Sequence, residues 1–150
     1  MGLFSGINTA STGLSAQRLR MDVISNNIAN VNTTRTPEGQ PFRRSRVIFR
    51  PIVNDPYWKT PFLPRALDNG GGQGVQVMAV EKDYDTKTRL VYDPTHPDAL
   101  QSGQQKGYVE YSNVNMVTEL VDMMSAERAY QANMMSVKAH VGMFESSLQI

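Results

Sequence analysis

Apolar residues recur at alternating steps of three and four positions near both ends of the chain, whereas the middle lacks this pattern. A repeat of about 3.5 residues aligns one narrow stripe along an α-helix, as in the seam of a coiled coil. The pattern predicts two long helices, over about residues 5–32 and 115–148. The predicted seams comprise Leu14, Met21, Ile24, Ile28 and Val31 in the first helix and Leu120, Met123, Tyr130, Met134, Val137, Val141, Phe144 and Leu148 in the second.

The lengths of these helices bear on how they are stabilised. At 1.5 Å per residue they would extend about 40 Å and about 50 Å. The chain has 150 residues, which suffice for one ordinary domain but not for a core that covers both helices along their length. The seams need each other or other copies of the chain, so the pattern predicts a protein that assembles.

Proline and glycine interrupt the middle of the chain. Six of the eight prolines fall between residues 37 and 64, and four glycines cluster within residues 70–74. Proline density of this kind excludes helix and central strand and predicts extended chain over residues 35–74. Alternating or β-prone runs predict short strands that form one small antiparallel sheet of three or four strands. Those runs are residues 45–53, 75–80, 88–92 and 107–111.

Together these segments predict an α+β fold. Long N- and C-terminal helices pack as an antiparallel coiled-coil-like pair, and a small, largely antiparallel β or extended region lies between them. An asparagine within residues 113–115 is the expected N-cap of the second helix. The expected division is 1–34 for the N-terminal helix, 35–74 for the Pro/Gly-rich segment, 75–112 for the β region and 113–150 for the C-terminal helix.

The net charge is only +1, which gives no field that favours nucleic acid or a membrane surface as a partner. The two halves of the chain differ in charge. Residues 1–65 carry nine Lys/Arg and three Asp/Glu, whereas residues 66–150 carry six Lys/Arg and eleven Asp/Glu. Opposite charges favour docking within the chain or head-to-tail contact between copies.

One basic cluster is too narrow for a nucleic-acid-binding face. It fits either a solvated strand edge or a salt-bridge patch between subunits, which would meet acids such as Asp83, Asp85 or Asp98 of a neighbour. The cluster comprises Arg43, Arg44, Arg46 and Arg50.

Few residues of this chain could carry catalysis. The absence of cysteine excludes disulfides, thiol nucleophiles and thiolate metal sites. His96 lies in a loop with Asp93 and Asp98, where metal binding or general-base catalysis is one interpretation. The prolines of the same loop explain these residues as turn chemistry. We predict turn chemistry there, and no enzyme activity, no cofactor and no metal site.

Separated segments of the chain resemble the bacterial flagellar axial proteins that build the rod and the hook. Residues 25–33 resemble the N-terminal signature of this family, and residues 113–124 and 128–133 resemble its terminal helix. The middle segments 34–44, 90–99 and 107–109 are similar to those of the proximal rod proteins. The family usually has proline where Ser112 stands, which leaves the start of the last helix less sharply fixed. The motif residues are Asn26, Asn27, Asn30, Asn32, Asn113, Asn115, Arg128, Tyr130 and Asn133.

The resemblance implies a structural subunit that polymerises helically with other rod proteins into a hollow drive shaft around the export channel. The implied partners are further copies of the chain, the FlgB, FlgF and FlgG types of rod protein, a FliE-type adaptor and the flagellar type III export apparatus. The implied location is the periplasmic rod, reached without a cleaved signal peptide. The chain contains no run of about 18 apolar residues, so no insertion into a membrane is predicted.

Two other functions stay open on the residue pattern alone. The helices could belong to a soluble coiled-coil interaction module that recruits one partner and never polymerises. An enzymatic function would require His96 or Asp93 to be essential while assembly stays intact.

Overall fold

A computed structural model of the chain describes residues 3–52 and 73–148. The first helix, α1, spans Leu3–Ala29, and the last, α2, spans Met116–Leu148. Between them lie β1 (Ser45–Pro51), β2 (Val75–Lys82), β3 (Arg89–Tyr92) and β4 (Tyr108–Tyr111). The α+β class is confirmed, as are the four predicted strands. The stretch 53–72 of the predicted extended segment lies outside the described residues.

The two helices pack side by side in opposite directions. Gly6 of α1 lies against His140 of α2 near one end of the pair, and Asn27 is hydrogen-bonded to Glu119 near the other. Moving forward along α1 means moving backward along α2, which confirms the predicted antiparallel pair.

The strands form two separate antiparallel ribbons rather than the single sheet that the sequence predicts. β1 pairs with β2, and β3 pairs with β4. The side chain of Asn113 lies at the end of the first ribbon, between Arg44 and Asp83. Its Oδ1 accepts from Arg44 N at 2.7 Å, and its Nδ2 donates to Asp83 O at 3.0 Å. The chain after β4 is therefore tied to the first ribbon by one amide instead of a ladder.

An asparagine caps α2, as predicted. Asn115 Oδ1 accepts from Val117 N at 3.0 Å and from Thr118 N at 3.3 Å, which satisfies donors that the first helical turn leaves free. Just before it, Ser112 Oγ accepts from Val114 N at 3.1 Å. The start of α2 is thus fixed by side-chain acceptors, although Ser112 stands where the resembled family usually has proline.

A tight turn after β2 depends on one carboxylate. Asp83 Oδ1 accepts from Asp85 N at 3.0 Å and from Thr86 N at 3.1 Å, and Oδ2 accepts from Thr86 Oγ1 at 2.8 Å. Hydrogen bonds to the ionised form, first of all from the Thr86 hydroxyl, lower the pKa of Asp83 below its ordinary value of 3.8.

We expect Thr86→Val to raise the pKa of Asp83 toward 3.8, because the variant lacks the hydroxyl donor. A carboxylate with a lowered folded-state pKa adds stability above its unfolded pKa, and this stability is lost as the pH falls through the folded value. The variant should therefore begin acid unfolding at a higher pH. A carboxyl ¹³C NMR titration checks the pKa, with Thr118→Val on α2 as the control. An unchanged Asp83 titration would refute the assignment.

Candidate assembly interface

A buried polar cluster lies where both helices meet the start of β1. At its centre is Glu119, which is 0% exposed. Its Oε1 accepts a hydrogen bond from Arg44 Nε at 2.5 Å, and its Oε2 accepts one from Asn27 Nδ2 at 3.0 Å. A buried carboxylate is tolerated only when it is paired and hydrogen-bonded. Both conditions are met within the chain.

Arg44 connects this carboxylate to a second acid of α2. Its Nη2 donates to Asp122 Oδ2 at 3.0 Å, and Asp122 Oδ1 lies 3.5 Å from Arg20 Nη2. The arginines belong to the basic N-terminal half of the chain, and both acids belong to the acidic C-terminal half. Docking within the chain, one of the two outcomes that the charge pattern favours, is therefore observed here.

The side chain of Asn27 holds α1 against β1. Its Nδ2 donates to Ser45 O at 2.8 Å, and its Oδ1 accepts from Ser45 N at 2.9 Å. The amide thus pairs with both backbone groups of one residue, as a neighbouring strand would. Asn27 is buried, and both of its N–H donors are used, one by Ser45 and one by Glu119.

Two further motif asparagines make contacts along the helices, one at the end of α1 and one between α2 and α1. At the end of α1, Asn30 Nδ2 donates to Asn26 O at 2.9 Å. Asn133 lies against Gly13, where an added Cβ would meet Asn133 Nδ2 at 2.8 Å. The other motif residues differ in burial, with Asn32 and Arg128 exposed and Tyr130 half-buried.

The arginine cluster divides into one internal residue and three others. Arg44 is engaged by the acids of α2, as described above. Arg43 Nη1 donates to Thr86 O at 3.2 Å, and its guanidinium carbon lies 5.8 Å from the Tyr84 ring centroid. Arg46 and Arg50 are exposed. A contact of Arg43, Arg46 or Arg50 with a neighbouring subunit stays a prediction.

Small side chains occupy most of the buried apolar positions of the two helices. Ala10 and Ala16 of α1 and Ala126 of α2 are buried. Of the predicted seam residues, Ile24 is buried. The half-buried ones are Leu14, Met21, Ile28, Val31, Met123, Tyr130, Met134 and Val137, and the exposed ones are Leu120, Val141, Phe144 and Leu148.

The sequence carried a signal for the small residues of α1. Gly6 and Gly13 precede Ile7 and Leu14 by one position, so the same spacing of three and four runs through Gly6, Ala10 and Gly13. Hydrophobic periodicity overlooks such residues because small side chains contribute little apolar surface. Their size lets the two helices approach closely, and the larger residues then lie at the flanks.

Near its start, α2 exposes three apolar residues on the side opposite the buried Glu119 and Ala126. Val117, Val121 and Met124 are 71%, 55% and 51% exposed and recur at steps of four and three, which places them on one side of the helix. We call these three residues the outer stripe. Exposed apolar residues that share one side of a helix make this stripe a candidate interaction site. Other exposed large apolar residues of the helices are Phe4, Leu19, Met116, Leu120, Met135, Val141, Met143, Phe144 and Leu148.

A groove of about 840 Å³ lies toward the other end of the helix pair, between both helices and the β1–β2 ribbon. Its floor is made by small residues, and Phe49 forms part of its wall. Gln17 Oε1 and His140 Nδ1 are buried in its lining and have no hydrogen-bond partner within residues 3–52 and 73–148. The small floor residues are Gly6, Ala10, Gly13 and Ala16.

The loop around His96 is held together by turn contacts. His96 Nδ1 accepts from Asp98 N at 3.1 Å, and Asp93 Oδ1 accepts from Thr95 Oγ1 at 2.7 Å. Hydrogen bonds from Thr95 lower the pKa of Asp93. These contacts agree with the turn chemistry that the sequence predicts for the loop.

The described part of the chain offers neither a metal site nor a membrane span. Across residues 3–52 and 73–148, no three side chains of the His, Cys, Asp or Glu type come together in a way that could hold a metal ion. In the same stretches, neither helix has the length and apolar character that a bilayer crossing requires.

Known proteins match this chain over its whole length. The family described as "Flagella basal body rod protein" matches residues 7–35, and the one described as "Flagellar basal body rod FlgEFG protein C-terminal" matches residues 105–150. The flagellar basal-body rod protein FlgC of Borreliella burgdorferi is 63% identical over 150 residues, which cover 100% of this chain and 98% of that protein. FlgC of Bacillus subtilis (strain 168) is 37% identical over 156 residues, with 100% and 99% covered. FlgC of Aquifex aeolicus (strain VF5) is 29% identical over 149 residues, with 99% and 97% covered.

Proposed function

The chain belongs to the FlgC-type flagellar basal-body rod proteins, and from this premise we propose how its surfaces join it to its neighbours. The family that the residue motifs predict is thereby confirmed, and the chain is a structural subunit of the basal-body rod. The proposal is that it polymerises helically in the proximal rod, without catalytic activity. The exposed outer stripe of α2 is the observation that carries this proposal.

The two candidate surfaces lie at opposite ends of the helix pair. The outer stripe is centred near residue 121, whereas the part of the groove formed by α2 is centred near residue 136. At 1.5 Å per residue these centres are about 22 Å apart along α2. A contact between different surfaces of two identical subunits is heterologous, and it generates an open helical polymer when the rotation does not close a ring. A contact between the outer stripe of one subunit and the groove of the next would be of this kind.

The predicted seam residues at the flanks of the helices fit the same proposal. Leu120 and Phe144 are 46% and 40% exposed. Burying such a side chain from full exposure contributes about 1.5–3 kcal/mol, so covering the surface that remains contributes roughly half of that. Neighbouring subunits would supply this burial all along the pair. Rigid transmission of torque requires many such contacts, and the hollow assembly would enclose the export channel.

The partners and the route to the rod follow from the family and belong to the proposal. We propose contacts with the FlgB, FlgF and FlgG types of rod protein and with a FliE-type adaptor. The chain would pass unfolded through the flagellar type III export apparatus, without a cleaved signal peptide, and fold in the periplasmic rod. The buried residues of the helix pair include small ones such as Ala10 and Ala126, which bury little apolar surface. The free chain would therefore be easy to unfold.

Co-assembly tests this function. Purified chain mixed with the other rod proteins at micromolar concentration should form tubes or rings that electron microscopy detects. Hydrogen exchange should show weakly protected amides in both terminal helices of the free chain and strong protection after assembly. A discrete complex that never grows would favour the soluble coiled-coil module instead. Terminal amides that are fully protected in the free chain would contradict the proposal.

A further inference from the structure

We propose that the buried polar cluster sets the register of the helix pair, which is the axial offset at which α1 packs against α2. The register cluster consists of Asn27, Arg44, Ser45, Glu119 and Asp122. This inference concerns the single folded chain and does not depend on which neighbours it meets in the rod.

The rest of the helix contact specifies the register only weakly. Gly6 lies against His140 and Gly13 lies against Asn133, and both the two glycines and their two partners are seven residues apart. A slip of one heptad, about 10 Å along the axis, would place Gly13 opposite His140, where Gly6 now lies. At this position a glycine would again meet a polar side chain, so this contact discriminates poorly between the two registers.

The register cluster distinguishes between the two offsets. Asn27 uses both N–H donors and its oxygen on Ser45 and Glu119, and Glu119 receives Arg44 on its other oxygen. The same slip would set Asn27 opposite Ala126 and would leave Glu119 away from its amide donor. A buried carboxylate without its partners is strongly unfavourable, so the slipped state is disfavoured at this end of the pair.

The cluster also joins the helix pair to the β ribbon. Arg44 and Ser45 stand at the entry to β1, and Arg44 O accepts from Asp83 N at 2.7 Å at the end of β2. The position of the outer stripe of α2 relative to the ribbon is therefore defined by the register. Subunits in mixed registers would present this stripe at different heights.

Buried polar groups that fix a register often cost stability compared with apolar residues of similar volume. We therefore expect the double variant Asn27→Leu/Glu119→Leu to remain helical and folded while it populates slipped registers. Arg44 keeps Asp122 as its acidic partner in this variant. The variant should thus stay folded while it loses its single register. A cluster that only stabilised the fold would give the opposite result, a loss of stability without a change of register.

Disulfide trapping measures the register, because the natural chain contains no cysteine. The pair Gly13→Cys/Asn133→Cys reports the observed register. Gly13→Cys/His140→Cys and Gly6→Cys/Asn133→Cys report one-heptad slips in the two directions. Each pair is placed in the natural background and in the double-leucine background, and intramolecular cross-linking is quantified on the monomer by mass spectrometry.

In the natural background the observed-register pair should cross-link about tenfold more than either slipped pair, whereas in the double-leucine background we expect the ratio to fall to within about threefold. The control Asp22→Leu/Glu127→Leu removes exposed charges from the same two helices and should keep the tenfold ratio. Circular dichroism confirms that each variant is helical.

If the double-leucine variant does not fold, Glu119→Met, which keeps the Asn27–Ser45 hydrogen bonds, gives the same comparison. An unchanged tenfold ratio in whichever of these variants folds would overturn the proposal.

Discussion

Replacing Arg44 by alanine is expected to lower the free energy of unfolding by about 3–5 kcal/mol, the usual loss when one partner of a buried ion pair is removed. The Glu119 side chain is 1% exposed, and Arg44 provides the cation nearest to it, with Nε 2.5 Å from Oε1. Within residues 3–52 and 73–148, the hydrogen bond from Asn27 is the one that the carboxylate keeps without Arg44. Urea unfolding of the purified chain measures the loss.

Arg46→Ala is the matched control, because Arg46 is exposed and lies two positions further along the same segment. We expect a change within about 0.5 kcal/mol there. Adding Glu119→Gln to Arg44→Ala should recover part of the loss, since a neutral amide is easier to leave without a cation. An Arg44→Ala variant as stable as the control would show that the pair contributes nothing to the fold.

The same contact decides how a subunit bridge through the arginine cluster can be tested. Reversing Arg44 to glutamate would place two like charges against each other inside the chain, so lost assembly would not report on a neighbour. Arg46 and Arg50 are exposed, and reversing them leaves the buried pair untouched. Only these two positions separate an intersubunit role from folding.

The second large effect is expected on assembly rather than on stability. Val121→Lys/Met124→Lys adds two charges to the outer stripe, where the natural residues are 55% and 51% exposed. The monomer should fold normally because lysine is readily solvated at exposed helix positions. If a neighbouring subunit covers this stripe, both charges must be buried without partners. We expect incorporation into the rod to fall by about 100-fold or more, with loss of motility.

Thr118→Lys/Ser125→Lys is the matched control for the stripe, since it adds the same charge at exposed positions of α2 outside the stripe. Swimming in a strain that lacks its own copy of the protein measures function, and circular dichroism with thermal unfolding measures the fold. The control should swim. Normal swimming of the stripe variant would mean that the outer stripe stays in solvent and takes no part in assembly.

The elements of the fold could be predicted from local pattern, because each depends on neighbouring residues. The heptad-like spacing predicted both helices, alternation predicted the strands, and Asn115 caps α2 within the predicted range. The glycines that face α2, Gly6 and Gly13, were not predicted, because glycine carries no hydrophobic signal. We propose that the chain assembles, and the pattern of large apolar residues such as Leu120 then reflects burial against other subunits as well as burial within the chain.

Long-range partners were the other part that the sequence did not reveal. Arg44 and Glu119 are 75 residues apart, and no local pattern indicates which acid a given arginine meets. Asn113 likewise bridges Arg44 and Asp83 only because the folded chain brings β1, β2 and the start of α2 together. The division of the predicted single sheet into two ribbons is a long-range feature of the same kind, which local alternation does not indicate.

A cryo-electron microscopy map of the assembled rod, with this chain traced in it, tests the central claim most directly. We predict that both terminal helices lie at the smallest radius, around the channel, and that a neighbouring subunit covers Val117, Val121 and Met124. A map in which the outer face of α2 borders solvent, or in which the helix pair lies on the outside of the rod, would contradict the account.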